Sequence, residues 1–210
     1  MSGKTLPIHA RWIRWAGRQF AGVARRRGVW AIVGLIAFVL NAAVTLISGI
    51  PSPDSHDERS YLLAADTFAQ GRLTNPPHPM WRHMEAFHVL QQPTYMSKYP
   101  PGQGLVLALG KVLTGEAIVG AWLASAAACA AICWALGKWL PPRWALAAGL
   151  FAATHVLMIY WAQNYWGGAL AACGGALVFG AIGKLRRRVS PAGGAILGIG
   201  IAVLIISRPY

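Results

Sequence analysis

Carboxylates are scarce in this chain, six in 210 residues, and none precedes position 54 or follows position 116. Charge of either sign is thin: Asp, Glu, Lys and Arg make up 12% of the residues against 56% that are hydrophobic. A soluble domain needs more charge than that to cover its surface, so the composition argues against a water-soluble globular fold. Cysteines number three. Cys129, Cys133 and Cys173 all fall inside apolar runs, with none between 51 and 116. That placement rules out a disulfide framework in the polar segment and reads as small core residues. Cys129 and Cys133 share a helix face, but two thiols without a further ligand make a poor metal site.

What the chain does have is long apolar runs, with a mean hydropathy of +0.45 and ten tryptophans. Roughly 20 apolar residues cross a hydrocarbon core of about 30 Å. The runs at 29–50, 117–136, 144–161, 165–182 and 193–206 approach that length. The expectation is an all-α, polytopic integral membrane protein with about five transmembrane helices. A basic segment, 1–28, precedes the first of these at 29–50. A large extracytoplasmic loop of amphipathic helices occupies 51–116, and four further helices fill 117–210 as one membrane domain. The first run is too long for a signal peptide and no small-x-small site follows it, so it reads as a retained anchor.

The net charge of +13 would suggest nucleic acid if the cations formed one patch, but they sit at segment ends. With the N-terminus in the cytoplasm, Lys4, Arg11, Arg14, Arg18, Arg25, Arg26, Arg27, Lys138, Arg143, Lys184, Arg186, Arg187 and Arg188 fall on the inner side with no acid among them. Arg59, Arg72, Arg82, Lys98, Lys111 and Arg208 face the six carboxylates outside and cancel them. The whole excess then lies on one face, as the positive-inside rule requires. This alternation needs 103–113 to stay out of the count, and eleven residues are too few to span; the segment reads as a helix on the outer membrane surface. At the N-terminus, Arg11, Arg14, Arg18 and Arg25 repeat at helical spacing beside Trp12, Trp15, Phe20 and Val23. An interfacial helix and a basic tail that merely sets topology both suit that pattern.

The outer loop is the informative segment. Pro51 and Pro53 end the first membrane helix, and Asp54 or Ser55 can cap a new one over about 57–69. Its Tyr61, Leu62, Ala65 and Phe68 share one side, which suits a segment resting on the bilayer. Asp57 and Glu58 fall in its first turn. Adjacent carboxylates repel, which can raise the pKa of one and make it a usable base, while both also suit the positive end of a helix. Further on, Tyr99 precedes Pro100 and is pushed out of helical conformation. Lys98 therefore stands on extended chain at headgroup level, where it can pair with a lipid phosphate or simply anchor the loop. His56, His78, His83 and His88 join the acids, without a His-x-x-x-His pattern; a site assembled from His56, Asp57 and His78 is the alternative metal chemistry.

The acidic doublet after the first membrane helix, Lys98 to Gly102 reading Lys-Tyr-Pro-Pro-Gly before a short apolar helix, and the paired membrane helices with basic turns resemble the N-terminal portion of a GT-C glycosyltransferase. The resemblance runs from about position 25 to the end and is closest to the bacterial, family 39-type branch of protein O-mannosyltransferases and aminoarabinose transferases. It implies a membrane glycosyltransferase of the bacterial inner (plasma) membrane, N-terminus cytoplasmic. Such an enzyme moves a sugar from a polyprenyl-phosphate donor to an acceptor hydroxyl on a lipid, glycan or protein at the outer surface. It implies no cofactor, though a divalent cation stays open, and no nucleic-acid partner. It further implies that Asp57 is the general base with Glu58 as its backup, that Lys98 serves the donor phosphate beside Tyr99, and that Arg208 supplies another cation. The family's second outer loop usually carries an acid; here 162–168 reads Ala-Gln-Asn-Tyr-Trp-Gly-Gly, where Gln163 or Asn164 could hydrogen-bond a sugar and Tyr165 and Trp166 could stack on one. Family members have around a dozen membrane helices, so the chain is expected to be a fragment, a split gene product or a truncated relative. The rival class is a non-catalytic membrane protein, an assembly subunit or transporter fragment; transporters carry polar groups at mid-membrane, where this chain has only Asn41, Thr45 and His155.

Overall fold

The computed structural model describes residues 8–207, so Lys4 and Arg208 lie outside the described residues. The elements are α1 (Ile8–Ala24), α2 (Val29–Ser48), α3 (His56–Ala69), a 3₁₀ turn (Trp81–His83), β1 (Val89–Leu90), β2 (Met96–Ser97), α4 (Pro101–Thr114), α5 (Ile118–Leu136), α6 (Pro142–Thr154), α7 (Val156–Ala162), α8 (Gly168–Arg187) and α9 (Pro191–Ser207). The fold is all-α apart from the two-residue strands, which pair antiparallel with Val89 opposite Ser97.

Among the described residues three helices, α2, α5 and α8, are long and apolar enough to cross a membrane; counting α6 with α7 gives a fourth. About five were expected. The run at 144–161 is not one rod but two helices bent by 53°, because His155 takes an extended backbone (φ −71°, ψ 133°) and its Nδ1 accepts the Leu157 N–H. A side chain that caps a new helix competes with continuing the old one. α9 has 17 residues, fewer than the usual requirement for a perpendicular span. Pro191 opens it and the Ser190 hydroxyl caps Gly193 N–H.

α5 is the axis, packed against α2, α4, α6, α7 and α8. Its partners approach closely through small residues: Gly34 of α2 lies on Ala126 and Ala130, and Cys129 and Cys133 join Val33, Ala37, Leu146 and Ala153 in one core cluster. The three cysteines are buried and unpaired, as a core role requires. α3 does not rest its apolar side on lipid as expected. Tyr61 and Ala65, with Leu62 and Phe68 beside them, pack against Leu107, Ala108, Ile118 and Ala121 of α4 and α5. The reason is visible in α4, whose glycines let neighbouring backbones approach it. A methyl group at Gly104 would sit 2.6 Å from the Ala64 Cβ of α3, one at Gly110 2.2 Å from the Gly120 backbone nitrogen of α5, and one at Gly120 2.2 Å from the Val106 carbonyl oxygen. α4 itself has 14 residues, about 21 Å of helix, and is too short to span.

The charge asymmetry persists in three dimensions. At one end Lys138 lies among Lys184 and Arg187; partial burial and those two cations push its ammonium below the usual lysine range. The Arg186 guanidinium stands over the Trp139 ring at 4.8 Å, and α1 packs on α6 nearby. Glu58 of α3 bonds the α7–α8 link, at the other end of α8 from Lys184, Arg186 and Arg187.

Two outcomes follow from this packing. Gly120→Ala forces two backbones apart and should cost about 1–3 kcal/mol, read as a lowered Tm in detergent, whereas Gly198→Ala, with no atom within 4 Å of the added methyl, should leave Tm unchanged or raise it. With an inward N-terminus, an impermeant thiol reagent added outside should label Ser55→Cys and Thr94→Cys but not Ser190→Cys; the native thiols are buried and give little background. Labelling at position 190 would reverse that topology.

Candidate functional site

The sequence between α2 and α3 fixes how the acidic doublet is used. Ser55 is the N-cap of α3, extended at φ −113° and ψ 157°, and its hydroxyl accepts the Glu58 N–H. The Glu58 side chain reaches back: Oε2 accepts the N–H of Asp54 at 2.9 Å and of Ser55 at 3.2 Å. This is a full capping box. The other oxygen, Oε1, accepts the Tyr165 N–H at 3.0 Å. Glu58 is 4% exposed. Both its oxygens are therefore committed to backbone donors, and it acts as a joint between α3 and the α7–α8 link. The signal was present in the sequence, since Ser55-His56-Asp57-Glu58 is a Ser-x-x-Glu pattern.

Asp57 lies one position away on the helix, rotated by about 100°, and its environment differs. Its Oδ1 receives the Tyr99 hydroxyl at 2.6 Å, and His88 Nδ1, which hydrogen-bonds that hydroxyl at 2.5 Å, lies 2.7 Å from the same oxygen. Among the described residues no donor reaches Oδ2, and the side chain is 35% exposed. The hydroxyl and the imidazole converge on one oxygen and hold the carboxylate in place, leaving the second oxygen without a donor among the described residues. Because the Tyr99 hydroxyl gives its one proton to the carboxylate, the proton of the His88–Tyr99 bond is assigned to Nδ1, which makes the other ring nitrogen a lone-pair acceptor in the neutral ring.

His88 and Tyr99 are brought together by the strand pair. The register Val89↔Ser97 and Leu90↔Met96 sets the residue before β1 beside those after β2. Ser60 of α3 fastens this hairpin: its hydroxyl donates to the His88 carbonyl at 2.6 Å and shares a 2.8 Å hydrogen bond with the Ser97 hydroxyl. Tyr99 stacks on Tyr61 at 5.0 Å between centroids, and the His56 ring lies parallel to that of His88 at 5.9 Å. His88, Ser60 and Ser97 were not singled out from the sequence as a set, because the contacts link positions 28 and 37 apart and no local spacing encodes them.

The remaining candidates divide. Lys98 stands at the same corner: its ammonium donates to the Phe87 carbonyl at 2.9 Å and lies 3.5 Å from the centre of the Phe87 ring, on an exposed side chain. Asn164 is spent within its own turn, donating to the Tyr160 carbonyl and accepting the Trp166 N–H. Tyr165 is buried; its hydroxyl donates to the Pro51 carbonyl at 3.0 Å. Burial, with the Glu116 and Glu58 carboxylates nearby, pushes its phenol above the usual range. The Trp166 indole N–H donates to the Ser55 hydroxyl at 3.2 Å. The link at 163–167 therefore meets the start of α3 through several joints, with Gln103 adding another from its amide to the Tyr165 carbonyl. Arg208 falls outside the described residues. Among the described residues no group of three or more His, Cys, Asp or Glu is positioned to hold a metal ion, so His56, Asp57 and His78 do not form one cluster.

His88 also lines a cleft of about 580 Å³ on the side of α3 that carries His56, Arg59, Ser60 and Leu63. The site thus combines a fixed, partly exposed carboxylate, an imidazole that faces a cleft, and a lysine at its edge. No protein-family model, curated protein or solved structure matches this chain.

The contrast between the two acids is measurable. Glu58→Ala removes a buried acceptor from several backbone donors and should lower stability by about 1.5–3 kcal/mol or more, the range for hydrogen bonds to charged groups. Asp57→Asn should change it by under about 1 kcal/mol, because its partners stay partly exposed to water. Thermal unfolding of both variants in detergent checks this; equal losses would show that the doublet acts as one structural unit.

Proposed function

We propose that this chain carries the outer-surface site of a membrane glycosyltransferase that moves a sugar from a polyprenyl-phosphate donor to an acceptor hydroxyl. The observation that carries the reading is the Asp57 carboxylate: Tyr99 and His88 hold one oxygen, the other is open, and Lys98 stands on the same hairpin. The polar residues gather at the end of the bundle opposite the basic turns, which suits a substrate whose lipid part stays in the bilayer while its headgroup reacts at the surface. The resemblance of Asp57-Glu58 and of Lys98 to Gly102 to the GT-C pattern supports the same assignment, as do the three to four helices long and apolar enough to span a membrane.

In this mechanism Asp57 Oδ2 takes the proton of the acceptor hydroxyl. The acceptor oxygen bonds to the anomeric carbon as the bond from that carbon to the phosphate oxygen breaks, and the electron pair leaves with the polyprenyl phosphate. Direct displacement inverts the anomeric centre. Lys98 stabilises the charge that builds on the departing phosphate; it already spends one donor on Phe87, leaving its others for the ligand. Tyr99 and His88 act as positioning residues. Glu58 is assigned no proton transfer.

The test uses membranes containing the protein together with a polyprenyl-phosphate sugar. Asp57→Asn should cut turnover by about 100-fold or more, general-base help being worth roughly two to four orders of magnitude, with donor binding nearly intact. Lys98→Ala should weaken binding of polyprenyl phosphate, sugar-free or not, by about 1.5–3 kcal/mol, with Lys98→Arg restoring part. Normal turnover in Asp57→Asn would remove the catalytic assignment, and unchanged lipid-phosphate affinity in Lys98→Ala would return that lysine to an anchoring role.

A further inference from the structure

The cleft beside His88 has properties that the transfer step does not use. One wall is the face of α3 bearing His56, Arg59, Ser60 and Leu63, at the i, i+3, i+4, i+7 spacing that lines up side chains on a helix. The facing wall is the 76–79 stretch, Pro-Pro-His-Pro, in which three of four residues have fixed φ. That wall is stiff, so a ligand meets a shape that is already set and loses little to ordering it. Its volume, about 580 Å³, lies in the range of about 300–1,000 Å³ of ordinary small-molecule sites.

The lining is chemically one-sided. It presents one guanidinium and three imidazoles, from Arg59, His56, His78 and His88, and no carboxylate. Glu85 lies between two lining residues, Met84 and Ala86, and lines not the cleft but an adjoining groove with Trp81, which shares Ala86, Val89 and Gln91 with it. Asp57 accepts from Tyr99 beside His88 and does not line the cleft. Arg59 makes no ion pair among the described residues. Donor capacity is also directed. His78 Nδ1 accepts the Met80 N–H at 3.1 Å, so in the neutral ring the proton sits on Nε2 and that nitrogen is a donor. Gln91, buried on the cleft floor, has one amide hydrogen committed to the Met84 carbonyl at 2.8 Å and a second to spare.

We propose that this cleft binds an anionic group, a phosphate or carboxylate carried by a ligand of roughly monosaccharide size, with Arg59 and His78 as its principal donors. Within the transferase reading the cleft holds the anionic end of the acceptor, whose hydroxyl extends past His88 to Asp57 outside the cleft. The binding itself does not depend on that reading. An oxyanion of this shape takes the guanidinium fork in two parallel bonds and the imidazole in a third.

Binding of a hexose phosphate to purified protein in nanodiscs of neutral lipid tests it, with the uncharged hexose as control. Wild type should bind the phosphate and not the hexose. Arg59→Ala and His78→Ala should each weaken binding by about tenfold or more, the scale of one charge-assisted hydrogen bond. Arg59→Lys and His78→Gln, which keep charge or donor, should lose less, and Arg72→Ala, whose side chain lies outside the cleft, should bind as wild type. Repeating the measurement with short-chain phosphatidic acid in the discs separates the sources: competition between it and hexose phosphate means that a lipid headgroup also enters, and its absence means a soluble or glycan-borne anion. Asp57→Asn should bind normally even where turnover is lost, so a failed transfer assay leaves this result standing. Equal affinity for phosphate and hexose, or unchanged affinity in both Arg59→Ala and His78→Ala, would overturn the proposal.

Discussion

A single buried carboxylate, that of Glu58, organises the polar end of this protein. It closes the N-terminus of α3 by accepting from the Asp54 and Ser55 amides and fixes the α7–α8 link by accepting from the Tyr165 amide. Such a group is costly to desolvate and becomes worthwhile only when its lone pairs are filled by well-aligned donors. Backbone amides supply them here without a cationic side chain. The positive end of α3 adds a favourable field. Because the amides belong to separate stretches of chain, satisfying Glu58 also sets the angle at which α3 meets the bundle, and the angle of α3 decides where Asp57 points.

The rest of the outer segment is built outward from that joint. α3 leans on α4, α4 leans on α5 through the Gly110–Gly120 crossing, and the short hairpin is fastened to α3 by Ser60. Each contact is short range and backbone-close. A charged cluster mounted on so few atoms keeps its geometry because there is little side-chain length over which to relax.

The transmembrane character, the two polar ends and the positions of α2, α5 and α8 were legible because apolar run length and cation placement are local, additive properties of the sequence. α3 was legible as well, through Pro51, Pro53 and the capping residues. The break at His155 was not, since an apolar run of the right length carries no mark of where a side chain will cap a new helix within it. The partners of Asp57 were equally hidden: His88 reaches it only after the chain has paired Val89 with Ser97, and pairing of strands two residues long leaves no periodic trace. Adjacent acids looked interchangeable on charge alone, and the difference between them came from which side of one helical turn each faced.

The bend between α6 and α7 gives the bundle an elastic element. A straight span meets a thinner or thicker bilayer by tilting as a whole, but a jointed one can absorb the mismatch by changing its internal angle. Here α7 runs into Gln163, whose side chain is bonded to Thr45 and to the Asn41 carbonyl of α2, and then into the turn held by Glu58. Flexing at His155 would therefore be conveyed along a chain of hydrogen bonds to the start of α3. In this arrangement the angle of the bent helix pair and the geometry of the polar end share one set of hydrogen bonds.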